Sequence, residues 1–335
     1  MRSAPNSLLR RCWPSRAGLI GALATLYLGL PAMAAELTLA VSRTALSLPI
    51  HVADSQGYFA AEGVSPKLVE CNGGQRCLKR LLEGGAELAT ASDLPVMFNS
   101  FARDDYAVVA TFVSTANDVK LVARRSAGIS APAHLARKRI GTVKGASAHY
   151  FLDAFLLFHD VDPQLVRVVD LPPEKVAAAF QNREVDAVAV WEPHGWMAMQ
   201  AAGRDAIVLP SPRIYKETFN LIASRRTLAE REDDVVRVLR ALARAQRFIA
   251  AQPREAKNIL KQRLALDEAF VSWVWQDLDF RLGLEQSLIT TLEAEARWAL
   301  REGHVTAGQA IPNYLRFVEP APLRRAVPGE GPVLK

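Results

Sequence analysis

Short apolar runs alternate with amphipathic stretches along most of the chain, and this pattern starts twice. L-T-L-A-V (37–41) reads as a strand and leads through a loop into an amphipathic stretch from Leu48 to Phe59. P-K-L-V-E (66–70), a helix over 75–83, A-E-L-A-T-A (86–91) and the apolar run Y-A-V-V-A-T-F-V (106–113) follow, then K-L-V-A-R (120–124). R-I-G-T-V (139–143) restarts the scheme of strand, loop and helix. Strands separated by helical crossovers must pair largely in parallel, with helices on the sheet faces. Residues 81–95 and 179–193 also echo each other. Both read as a helix end, a polar turn, a short alanine-rich strand, then Asp or Trp-Glu close before proline. Two similar α/β lobes follow from this pattern.

The chain has 335 residues, half of them apolar, which is enough for two medium-sized cores. After F-N-L-I-A-S (219–224) the sequence turns helical. D-D-V-V-R-V-L-R-A-L-A-R-A-Q-R-F-I-A (233–250) places Val235, Val238, Leu239, Leu242, Ala245 and Ile249 on one face, and Pro253 lies past its end. Segments 267–282 and 286–302 read as further helices, with Trp273, Trp275 and Trp298 as core residues. The proline-containing segment from Glu319 onward reads as a loosely ordered tail.

The first 34 residues carry Arg2, Arg10, Arg11 and Arg16 before an uncharged apolar stretch that ends in A-M-A at Ala32–Ala34. A basic region, a short apolar core and small residues at alternate positions describe an export signal cleaved after Ala34. The apolar run is shorter than the roughly 20 residues that cross a bilayer. Removing four of the 41 Lys and Arg leaves 37 against 35 acids, a net charge of +2. No basic block remains to hold nucleic acid or lipid headgroups. Only Cys71 and Cys77 remain, in C-N-G-G-Q-R-C. In an exported chain such a pair reads as a disulfide, and no His lies near enough in sequence to make it a metal set.

K-G-A-S-A-H-Y-F (144–151), just after the second start, carries the sharpest chemical question. A nucleophile elbow needs G-x-S-x-G, and the pattern here is G-A-S-A-H. Side chains two apart on a helix also diverge, so His149 is poorly placed as a base for Ser147. A binding role suits the segment better. The chain turns at Gly145 and enters a helix, with Ser147 as expected N-cap. Unpaired N–H groups at such a start attract oxyanions, and Ser147 and His149 would add donors.

With K-G-A-S-A-H-Y-F-L, and with E-K-V-A-A-A-F-Q-N-R-E-V-D-A-V-A-V-W-E-P-H (174–194), the chain resembles the second lobe of nitrate/sulfonate/taurine-type substrate-binding proteins of ABC importers. L-P-I-H-V-A-D-S-Q-G-Y-F-A-A-E-G-V, N-G-G-Q-R-C and A-S-D-L-P resemble the first. The resemblance spans about residues 37–222. It implies a two-lobed periplasmic binding fold, each lobe a mainly parallel sheet flanked by helices, with the ligand cleft between them. Lobe 1 would comprise 35–121 and 223–318, and lobe 2 would comprise 122–222, with crossings near Lys120–Arg124 and Phe219–Ser224. The contact positions it implies are Arg43, Thr44, Gly74, Gln75, Ser92 and Asp93 in the first lobe. In the second they are Ser147, Ala148, His149, Trp191 and Glu192, with Thr115 and Asn117 after strand 106–113. The implied function is that of a monomeric periplasmic receptor without cofactor or metal. It would capture a sulfonate, nitrate, taurine or related compound and deliver it to a membrane permease and its ATPase. A pyrimidine-precursor receptor on the same fold is the alternative, because Asp93 and Glu192 would suit amino groups. A periplasmic enzyme or sensor is a second. The related pyrimidine-forming enzyme needs a cysteine-rich iron motif that this chain lacks.

Overall fold

The structure, a computed structural model, describes residues 37–211 and 213–329; the expected leader, 1–34, lies outside the described residues. The chain first builds β1 (Thr38–Ser42), α1 (Leu48–Ser55), α2 (Tyr58–Ala61), β2 (Lys67–Cys71), α3 (Gly74–Leu82), β3 (Leu88–Ser92), α4 (Asp93–Ser100) and β4 (Tyr106–Thr115). It then crosses to β5 (Lys120–Arg124), β6 (Arg139–Thr142), α5 (Ser147–Phe158), β7 (Arg167–Asp170), α6 (Val176–Gln181), β8 (Ala187–Val190), α7 (His194–Ala202) and β9 (Ala206–Val208). It returns through β10 (Glu217–Ser224) to α8 (Arg225–Ala251), α9 (Pro253–Leu264), α10 (Glu268–Val274), β11 (Leu278–Asp279), α11 (Gln286–Arg301) and α12 (Ala321–Ala326).

The two sheets repeat one plan. The first runs β2-β1-β3-β10-β4-β11 and the second β7-β6-β8-β5-β9. In each, the opening strand is flanked in parallel by the two that follow it. The fourth strand in each order, β10 or β5, runs antiparallel to both of its neighbours. Parallel pairing therefore holds within each strand–helix series, and antiparallel strands enter where the chain changes sheet and at the added edge strand β11. Each sheet packs in its own apolar core.

The crossings differ from the expected boundaries. Breaks at 121/122 and 222/223 would cut through β5 and β10, which are continuous hydrogen-bonded strands. The chain changes sheet between β4 and β5 and again between β9 and β10.

The C-terminal helices cover the first sheet. All six residues expected on the inner face of 233–250 are buried. Each such Val, Leu or Ile is worth about 1.5–3 kcal/mol when fully buried. The helix starts earlier than the apolar pattern did, at a Ser224 cap that accepts from the Thr227 backbone N–H, and it kinks at Arg231. The expected helix 267–282 stops at Val274 instead. Leu278, Phe280 and Leu282 alternate with Asp279 and Arg281, a strand period, and Leu278–Asp279 pair with the edge of β4. Residues 319–329 of the expected loose tail are also packed. Glu319 N–H donates to Val108 O (2.9 Å), and α12 buries Leu323 and Ala326 against the first core.

Candidate functional site

A narrow crevice, about 310 Å³ of unfilled space when its opening to solvent is included, lies between the two sheets. From the first body it is lined by Thr44 and Leu46 after β1, Gly74 and Gln75 at the start of α3, and Ser92 and Pro95 at the end of β3 and the start of α4. Glu217 and Phe219 enter it from β10. The second body contributes Ala146 and Ser147 at the start of α5 and Trp191 after β8, and the linker contributes Asp118. These are carboxyl ends of strands flanked by crossovers on both sides, where an open α/β sheet leaves a crevice. The first turns of α3 and α5 meet there with unpaired backbone N–H groups and the positive ends of their dipoles, while at the start of α4 Leu94 N–H donates to Asp93 Oδ1 (3.0 Å) and Pro95 has no N–H. Close backbone approach makes this possible. A Cβ on Gly74 would sit 2.7 Å from Ala91 Cα, and one on Gly73 would sit 3.1 Å from the Trp191 ring.

The polar lining is acidic. Asp118 is 1% exposed, and only the Glu192 backbone N–H approaches its carboxyl, without the geometry of a full hydrogen bond. Glu217 is 4% exposed. The Ser147 and Ser92 hydroxyls reach its carboxyl, and Oε2 has no partner. Trp191 Nε1, a donor, is also buried without a partner. Among the described residues no Lys or Arg lines the cavity. Burial pushes the Asp118 carboxyl up to about 8, the Glu192 charge adds to this, and Lys120 opposes it. Glu217 is raised well above the usual range by burial, then by Asp118 and Asp93. Two carboxyls in so dry a space do not ionise together without a cation beside them. Buried polar atoms without partners are costly, and four of them, on three residues, face one cavity.

Residues 45–256 match the NMT1/THI5-like family. The chain belongs to that family. A taurine-binding periplasmic protein of Escherichia coli (strain K12) is 26% identical over 257 residues, which cover 74% of this chain and 77% of that protein. The solved structure of the periplasmic aliphatic sulphonate binding protein SsuA from Escherichia coli shares the fold, with a TM-score of 0.71 at 18% identity over 84% of this chain and 97% of that one. The desulfurization enzyme DSZB shares it more distantly, with a TM-score of 0.61 at 15% identity over 87% of this chain and 99% of that one. The fold therefore carries both binding proteins and an enzyme.

In this NMT1/THI5-like chain the structure brings together Thr44, Gly74, Gln75, Ser92, Ser147 and Trp191 of the expected positions. The others lie elsewhere. Arg43 is half exposed and pairs with Glu70 (3.4 Å). Asp93 sits behind the cavity, where it accepts from the backbone N–H (2.9 Å) and hydroxyl (3.0 Å) of Thr218 and from the Tyr215 hydroxyl. Thr115 accepts from Asn117 N–H, and Asn117 donates to Asp277 (2.9 Å), away from the cavity. Ala148 packs in the second core. His149 faces Trp298 and His304. Glu192 accepts from Trp273 Nε1 (2.6 Å) and from Trp196 N–H (2.8 Å), tying the two bodies together. Trp273 is accordingly only partly buried, while Trp298 is a core residue as expected.

Ser147 is the first helical residue of α5 and not its cap, which is Ala146. Its hydroxyl is thereby released toward Glu217, while His149 points to α11. The two do not form a nucleophile–base pair. The expected disulfide is also not formed: Cys71 and Cys77 are free thiols. The turn brings them within hydrogen-bonding reach, with Cys77 buried on the core face of α3 and Cys71 half-buried at the end of β2.

Proposed function

We propose that this chain is the exported, non-catalytic solute receptor of an ABC importer, and that its solute carries an amino group together with an oxyanion. The paired carboxyls of Asp118 and Glu217, facing the helix starts in one crevice between the sheets, carry this reading. An ammonium group would sit between the carboxyls and restore their charge, while a sulfonate or carboxylate would take the N–H groups at the starts of α3 and α5. A plain alkanesulfonate satisfies only the second half of the site. The relative named for taurine binding supports a zwitterion of this kind. A flat amino-bearing ring is the second reading, favoured by the indole of Trp191 beside the same carboxyls.

Thr44, Gly74, Gln75, Ser92, Ser147 and Trp191 would be contacts, with Asp118 and Glu217 as the charge-reading pair. The leader would direct the chain to the periplasm and be cleaved after Ala34. The receptor would work as a monomer, closing its two bodies over the solute and presenting it to a membrane permease and ATPase. Closure by hinge motion is driven by the solute's greater affinity for the closed form.

Calorimetric titration of the untagged mature protein with taurine, ethanesulfonate and an aminopyrimidine tests the assignment. Loss of a hydrogen bond to a charged group costs about 1.5–3 kcal/mol, or roughly 10- to 150-fold in affinity. Taurine or the aminopyrimidine should therefore bind at least about tenfold tighter than ethanesulfonate. Equal or tighter binding of ethanesulfonate would refute the role given to the carboxyls. Release of sulfite or ammonia from a bound solute would refute the non-catalytic role.

A further inference from the structure

His149, freed from the cavity, belongs to a different constellation. His149, Asp153 and His304 each offer a ligand atom, and these atoms lie within 4.8 Å of one another. His149 and Asp153 are one turn apart on α5, so both side chains project from the same face. His304 arrives from the other body. The left-handed Gly303 (φ 70°) ends α11, and His304 N–H folds back onto Ala299 O (2.8 Å), which lays the imidazole over Trp298. The two imidazole centroids stand 4.6 Å apart.

Two further observations point to a ligand. His149 is 5% exposed, yet its Nδ1 has no hydrogen-bond partner. Asp153 is buried too, and one of its oxygens accepts from Trp298 Nε1 (3.0 Å). That bond orients the carboxylate as outer partners orient metal ligands. We propose that His149, Asp153 and His304 form a divalent transition-metal site, suited to zinc, that joins α5 of the second body to the end of α11 of the first. Two imidazoles and one carboxylate match zinc-type donor sets that leave a fourth position to water. Ligand atoms about 2.0–2.1 Å from a tetrahedral zinc stand roughly 3.4 Å apart. Metal binding would therefore draw the present set together, and the exposed His304 has room to move. The sequence pointed to no metal because His304 is 155 positions from His149 in the numbering, and only the fold brings them together.

The metal site itself is independent of the proposed solute. Its consequence, that zinc holds the two bodies together, rests on the two-body closure proposed above. The test uses untagged, chelator-treated protein titrated with zinc chloride alone, by calorimetry and thermal melt. One saturable equivalent is expected, with a rise in melting temperature. Replacing a ligand removes more than replacing an outer partner, so His304→Ala should weaken zinc by about 100-fold or more. Because His304 is exposed, the metal-free melt of that variant should match the parent. His149→Gln should give the same loss of zinc binding. Cobalt(II) should give the visible absorption of a tetrahedral site in the parent and not in His304→Ala. Absence of saturable binding in the parent, or zinc affinity unchanged in His304→Ala, overturns the proposal. Taurine titration in the presence of chelator reports on the solute site separately, so either reading can fail without the other.

Discussion

Replacing Asp118 by Asn separates what the cavity costs the empty protein from what it contributes to binding. Burial first, and the neighbouring Glu192 charge second, raise this carboxyl from its ordinary 3.8 to about 8. The folded protein therefore keeps a proton that the unfolded chain releases. The stabilising contribution is complete below about pH 4 and is lost as pH rises through about 8. Asn copies the shape of the protonated acid and cannot ionise. The variant should match the parent near pH 4 and be more stable at neutral pH, by about 2–4 °C in melting temperature for each kcal/mol recovered.

Binding should move the other way. A solute ammonium is held by the ionised carboxylate, so parent affinity should rise by up to about tenfold per pH unit between about pH 6 and pH 8. Asp118→Asn should lose about 1.5–3 kcal/mol of a charge-assisted bond and flatten that slope. Thermal melts and calorimetric titrations at four pH values measure both effects. A variant less stable than the parent at neutral pH would refute the buried-charge argument. Affinity that falls with rising pH in the parent would show that the protonated acid donates to an anion, and the amino-group assignment would fail.

The packing that frames the cavity gives further expectations. Gly74→Ala places a Cβ 2.7 Å from the Ala91 backbone, which cannot yield as a side chain tip can, so an overpacking loss of about 1–3 kcal/mol should appear in the thermal melt. Trp273→Phe removes the donor to Glu192 across the two bodies and should cost about 1 kcal/mol, together with a larger radius of gyration by small-angle scattering of the empty protein. Ser147→Ala should leave stability nearly unchanged, because Ser147 is not the helix cap, yet it should weaken taurine binding measurably by calorimetry.

The double start of the strand pattern was legible because period-2 and 3.6-residue hydrophobic spacing are local properties. The structure returns it as two sheets with the same strand order. The inner face of α8 was legible for the same reason. What failed was placement that depends on a distant partner. Leu278–Asp279 became a strand because the edge of β4 was there to pair with, and the segment after Glu319 became helix because α8 offered an apolar surface. The cavity residues divide along this line. Those following a strand or opening a helix, such as Thr44, Gly74, Ser92 and Ser147, could be located from the strand ends alone.

Asp118 and Glu217 could not, although Asp118 stands beside Asn117, and Glu217 stands just before the run 219–224. Each sits where the chain passes from one sheet to the other, and a crossing carries no periodicity of its own. A usable signal was present in the chemistry. A short linker between buried strands must bury its own polar groups, and an acid placed there needs a partner or a proton. Asp118 lies two residues before the buried Lys120, whose ammonium is taken by Asp277 and the Asn117 carbonyl. The obvious internal counter-ion is thus hydrogen-bonded elsewhere, and neither Asp118 oxygen makes a full hydrogen bond. Charge matching is left incomplete at this cavity, and a cationic group on the solute is the simplest chemistry that completes it.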